Sequence, residues 1–234
     1  MIAASSSPGS TILVLLFLAV MGMAMIWDTL KQSRARLRRV QDIRALATRL
    51  GFDDFKPDRD DQFALGWGFL NRLAEGQERY AFNLLRGTYH DQSLFVFDYH
   101  YQTGSGKNRQ EHNLTILMLV FNAAFPRVTI QPGGEDLLVK MAAAFGIGED
   151  IKFESAEFSR KFCVRSPDKK FAYDACNPQM IDYLLSNPGL EVEIQGPVLL
   201  LAFEPQLSAD RIEFNLQRLI EIRSRLPEYL FPNK

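Results

Sequence analysis

The chain has 234 residues and a formal net charge of −1, with 24% charged and 47% hydrophobic residues, as in ordinary globular proteins. Eighteen Phe point to an aromatic-rich core in place of disorder, and two cysteines, Cys163 and Cys176, are too few for a disulfide scaffold. Setting aside the five positive charges of residues 31–39 leaves −6, so bulk charge argues against a nucleic-acid partner.

The chain opens with a short uncharged tail over 1–10, then residues 11–27, TILVLLFLAVMGMAMIW, seventeen residues without a charge. As a helix they would cover about 26 Å, close to a hydrocarbon core of about 30 Å. Nine are Ile, Leu, Val or Phe, and their insertion free energies sum to about −4 kcal/mol. The expectation is a single transmembrane helix running from Thr11 through Leu15 and Val20 to Trp27 at its interfacial edge. A cleaved signal peptide would need positive charge before the apolar run and small residues after it. Here residues 1–10 hold no Lys or Arg, and Lys31, Arg34, Arg36, Arg38 and Arg39 follow the run. Positive flanks stay on the cytoplasmic side, so the expected orientation is N-terminus outside and C-terminal domain cytoplasmic.

Residues 28–50 read as a basic juxtamembrane helix, with Leu37, Val40, Ile43, Ala47 and Leu50 on one apolar stripe and Gly51 as its C-terminal cap. Its five cations are expected to contact anionic lipid headgroups, at up to about 1 kcal/mol each. Residues 51–234 then form one domain. It starts with an acidic linker, DDFKPDRDD, and a helix cap at Asp61. A calcium loop from Asp58 fails, because Phe63 and Phe69 stand where Gly and Glu are required.

Strand patterns follow over 84–89, 94–101, 114–121 and 128–130. In the second, Phe95, Phe97, Tyr99 and Tyr101 share one face, with Leu94, Val96, Asp98 and His100 on the other. Short connections make this an antiparallel meander. Helix signals cover 135–145 and 156–161, with short strands at 151–153 and around Cys163. A further helix opens at Asn177-Pro178, and a hairpin over 190–195 and 198–203 turns at Gly196-Pro197. A last helix, capped by Ser208, turns Ile212, Leu216, Leu219 and Ile220 inward. The fold class is α+β: a transmembrane helix and amphipathic stalk, a sheet meander with packed helices, then a C-terminal hairpin and helix.

No complete catalytic motif is present. Gly104-Ser105-Gly106-Lys107 resembles a phosphate loop, but Tyr101 and Asn108 occupy the positions that need Gly and Ser or Thr, and a strand follows. His90, His100 and His112 all lie among the strands. His100 and His112 with Asp98 offer a His/His/Asp metal site as one reading and strand-end histidines as the other. No metal or other cofactor is expected. Cys163 lies in an apolar run and reads as a buried thiol. Glu149, Asp150, Glu154 and Glu157 supply carboxylates at element ends. Arg160, Lys161, Arg165, Lys169 and Lys170 form a second basic cluster, read as a solvated edge or as a contact for an acidic partner or membrane.

Residues 153–185, FESAEFSRKFCVRSPDKKFAYDACNPQMIDYLL, with AFEP at 202–205 and GTYHDQSLFVFDYHY at 87–101, resemble bacterial membrane-anchored proteins catalogued as a domain of unknown function. The resemblance implies a bacterial inner-membrane protein with a cytoplasmic α+β domain, and brings no activity or site residues. The expected function is a protein-interaction module, its partners the lipid bilayer and an unidentified protein. The alternatives are a small-ligand or lipid-headgroup sensor on the Phe95–Tyr101 face, and a metal- or thiol-dependent hydrolase. A concave pocket lined by those rings would favour the sensor, and rings packed under a helix would make that face core.

Overall fold

The computed structural model describes residues 8–52, 54–133 and 151–231, with side chains from Phe17 onward. The expected helix over 135–145 and the carboxylates Glu149 and Asp150 lie outside the described residues, as do Asp53 and the side chains of Thr11 and Leu15. The chain divides into two compact units, residues 1–43 and 44–234.

The first unit is a helix. Helix α1 runs Pro8–Leu50 as one 43-residue element, its last turns belonging to the second unit. It carries no Pro after position 8 and no Gly between 22 and 51, so nothing in its sequence breaks the ladder. The expected transmembrane helix is not supported. Among the described residues no helix is long and apolar enough to cross a membrane. Eighteen residues counted from Phe17 reach Arg34, and already include Asp28, Lys31 and Arg34. The single-pass inner-membrane placement, which depended on that span, fails with it.

The second unit is α+β. Its sheet has six strands: β1 (Asp54–Lys56), β2 (Gln77–Tyr89), β3 (Gln92–Thr103), β4 (Gln110–Pro132), β5 (Phe162–Arg165) and β6 (Glu191–Phe203). Strands β1 to β5 lie side by side in chain order, every pair antiparallel, and β6 pairs with β4. The expected meander is therefore present. The β2–β3 turn is His90-Asp91, with φ of 48° and 61°, the left-handed pair that a two-residue hairpin turn needs to match strand twist.

Two expectations differ. Residues 114–121 and 128–130 are not separate strands but parts of the 23-residue β4. The expected hairpin at Gly196-Pro197 is instead the continuous strand β6, which pairs with β4 from Ile130↔Val192 to Thr115↔Phe203. The cause lies in the register. It shifts on either side of Phe125↔Gly196, so Pro126 in one strand and Gly196-Pro197 in the other fall at a shared irregularity. Both strands bend there together instead of turning back.

Helices cover both faces. On one lie α2 (Asp61–Gly66) and α3 (Asn71–Ala74). Helix α2 is capped by Asp60, one residue before the expected Asp61, through a bond from Phe63 N at 2.8 Å. The residues beneath, among them Leu70, Leu73, Phe97, Tyr99, Ile116 and Leu200, form a closed apolar core. Phe63 meets Phe97 edge-on at 5.1 Å and Phe95 at 5.5 Å. The Phe95–Tyr101 face is thus core under helices, and the ligand pocket expected of a sensor is not formed there.

The remaining helices are α4 (Ala156–Lys161), α5 (Lys169–Ala175), α6 (Pro178–Ser186) and α7 (Ala209–Arg225). Asn177 caps α6 through Met180 N, as its Asn-Pro start suggests. Ile212, Leu216 and Leu219 of α7 are buried; Ile220 is only half-buried, and Ser208 precedes the helix without a side-chain cap bond. Arg49, near the end of α1, pairs with Glu213 of α7 at 2.7 Å. Residues 151–153 form no strand, although Ile151 N donates to Val164 O on β5 at 2.8 Å.

Candidate functional site

Strand alternation decides where the histidines fall. His100 stands opposite Asn113 and His112 opposite Tyr101, so the two rings lie on opposite faces of the sheet. His90 sits exposed in the β2–β3 turn, edge-on to Tyr89. His100 is 6% exposed, pairs with Asn113 Oδ1 at 3.0 Å and stacks on Tyr80. Asp98 shares its face as expected, but accepts from Asn83 Nδ2 and Thr115 Oγ1 at 2.8 and 3.2 Å. Among the described residues no three His, Cys, Asp or Glu side chains could hold a metal ion.

The other sequence candidates are also accounted for. Cys163 and Cys176 both lie buried in the core, and burial pushes the Cys176 thiol up. The GSGK loop turns through a single 3-10 segment, Gly106–Asn108, into strand β4, so it offers no helix N-terminus. In the second basic cluster Lys161 pairs with Glu157 at 2.6 Å and Lys170 with Asp174 at 3.1 Å, each along its own helix. In the first unit Lys31, Arg34, Arg36 and Arg38 are exposed and Arg39 is half-buried. Beside them on α1, Val20 and Trp27 are 59% and 72% exposed.

A buried polar constellation among the described residues of the second unit has no signature in the sequence. It centres on Arg72 in α3, whose side chain is 15% exposed. Its guanidinium bonds Glu75 at 2.9 Å and Glu204 at 3.1 Å, and approaches Glu191 at 3.6 Å. Burial lowers the Arg72 pKa, but the Glu191 and Glu75 carboxylates outweigh it and raise it overall. Glu193, 3% exposed, accepts from the N–H groups of Asn71 and Arg72 at 2.6 and 3.1 Å. Burial pushes its carboxyl up to about 7, against the pull of those two bonds. Glu191 is raised too, again chiefly by burial. The cavity these groups enclose has room for about one water and is no ligand pocket.

His112 extends this network outward. Its ring stacks on Tyr101 at 4.5 Å and 9°, its Nδ1 meets Glu204 Oε1 at 2.8 Å, and its Nε2 meets Thr103 Oγ1 at 2.9 Å. Tyr101 OH in turn donates to Glu75 at 2.8 Å. The members come from α3 and the residue after it, from β3, β4 and β6, and from the residue after β6. No local spacing announces them.

Neither a protein-family model nor a curated protein matches the sequence. A solved structure does match in shape: the crystal structure of the mycobacterial trehalose monomycolate transport factor A, with a TM-score of 0.57 over 83% of this chain and 97% of that one. The two share a fold. Identity is 13%, so the likeness extends to the α+β architecture and not to site residues.

Proposed function

We propose that this protein is an interaction module whose basic helix contacts anionic lipid headgroups while its α+β unit engages a protein partner. The observation that carries the reading is the side-chain exposure along α1. Phe17, Val20, Met23, Ile26, Trp27 and Leu30 are each at least 50% exposed, and the exposed cations Lys31, Arg34, Arg36 and Arg38 follow. An exposed apolar run beside positive charge suits a headgroup boundary, where Trp rings settle and each cation adds about 1 kcal/mol. The named role of the structural neighbour, a transport factor for a lipid, is in keeping with work at a lipid surface.

The test is vesicle co-sedimentation. The protein is expected to bind phosphatidylglycerol vesicles and to release them as salt rises, with little binding to phosphatidylcholine. Replacing Lys31, Arg34, Arg36, Arg38 and Arg39 by Gln should abolish the preference. Equal binding by that variant would refute the headgroup contact.

A further inference from the structure

We propose that Thr103, His112 and Glu204 form a hydroxyl–imidazole–carboxylate relay that hydrolyses accessible carboxylic esters. This stands apart from the headgroup reading and uses residues that it does not. An ionised Glu204 can only accept, so its contact with His112 Nδ1 at 2.8 Å places the ring proton on Nδ1. In the neutral ring Nε2 is then the acceptor, and the Thr103 hydroxyl, 2.9 Å away, donates to it. This is the order that nucleophile activation requires: hydroxyl to imidazole, imidazole to carboxylate.

Two further contacts fix the relay. The Tyr101 ring lies flat on His112 and sets its plane. Arg72 Nη2 donates to the second Glu204 oxygen at 3.1 Å and holds that carboxylate in place. Access is open, because Thr103 is half-buried at the end of β3 and residues 104–110 beyond it are all exposed. A nucleophile at a loop mouth favours small or flexible esters with weak binding.

In the reaction Thr103 Oγ would attack the ester carbonyl carbon while its proton passes to His112 Nε2. Collapse of the tetrahedral adduct breaks the ester C–O bond, and the leaving alkoxide takes that proton as the free alcohol. Water then attacks the acyl-threonine, giving its proton to His112. The carboxylic acid departs and the proton returns to Thr103. Thr103 and His112 are the catalytic residues and Glu204 a positioning residue.

The test uses the full chain with p-nitrophenyl acetate. Turnover is expected at least about a hundredfold above that of Thr103→Val, the lower end of what a positioned base supplies. Thr103→Ser should keep turnover, and Glu204→Gln should lower kcat at unchanged KM. Peptide mapping of the quenched wild-type protein is expected to find the acetyl group on Thr103, a readout independent of whether any variant folds. Equal rates for wild type and Thr103→Val, or acetyl found only on Lys107 or other surface residues, would overturn the proposal and leave the relay as a lock on the hairpin end.

Discussion

Replacing Glu193 by Gln isolates the contribution of one buried carboxyl to the pH dependence of stability. The group is 3% exposed and its pKa stands at about 7 against 4.5 for an unburied glutamate. A shift of that size corresponds to about 3 kcal/mol. The sign follows from which state holds the proton more tightly. The folded chain keeps it up to about pH 7, whereas the unfolded chain releases it near 4.5. The stabilisation is therefore complete below pH 4.5 and is lost as pH rises through 7. Gln cannot titrate. It keeps an acceptor for Asn71 N but turns an NH₂ toward Arg72 N, a pH-independent loss of about 1–3 kcal/mol. Urea unfolding of both proteins from pH 4 to 8 gives two free-energy curves. Their difference should fall by about 3 kcal/mol between pH 4.5 and 7, with the wild type losing its advantage. The raised Glu191 is present in both proteins and largely cancels. A difference that stays constant over that interval would refute the reasoning.

The other predictions concern packing and pairing. Arg72→Met removes the cation shared by Glu75, Glu191 and Glu204, and should cost about 3–5 kcal/mol in urea unfolding, with Arg72→Lys recovering only part of it. Phe97→Ala empties a site 1% exposed beneath α2 and should cost about 3–5 kcal/mol by the same measurement. Gly87→Ala would drive a Cβ into the Phe52 ring. It should lose about 1–3 kcal/mol, and Phe52→Ala in the same chain should relieve the clash.

Legibility from sequence followed the range of the physics involved. Period-two alternation gave the faces of β3, and Asn-Pro and Gly51 marked helix ends, because those signals act over a few residues. Gly196-Pro197 misled because a glycine–proline pair reads as a turn when its strand is considered alone. Only the partner strand, irregular at Phe125, shows that the two bend together. The apolar run at the N-terminus was read from its length, its apolarity and its basic flank, whereas from Phe17 onward the described helix meets charge before it reaches a membrane's width. The Arg72 cluster stayed hidden for a different reason. Glu191 and Glu193 alternate with Val192 and Ile194, the usual look of a strand with one wet face, and nothing nearby in sequence says that α3 covers it.

The cluster's purpose in the fold can be argued from α3 itself. Four residues are far too short to hold a helix by their own hydrogen bonds. The termini of α3 are satisfied from the sheet instead. Glu193 accepts from the N–H groups of its first two residues, Asn71 and Arg72. At the other end Tyr99 OH donates to Leu73 O at 2.7 Å, and Arg79 Nη1 donates to Ala74 O at 3.0 Å. Arg72 and Tyr101 then meet on Glu75, the residue that closes the helix. Buried charges of this kind add little net stability over apolar packing, but they admit only one alignment of partners. A helix slid by one residue along this sheet would leave Glu193 and Arg72 buried and unpaired, at a cost of about 3–5 kcal/mol. The charges therefore specify where α3 sits, and α3 in turn holds Arg72 against Glu204 at the edge of the Thr103–His112 relay.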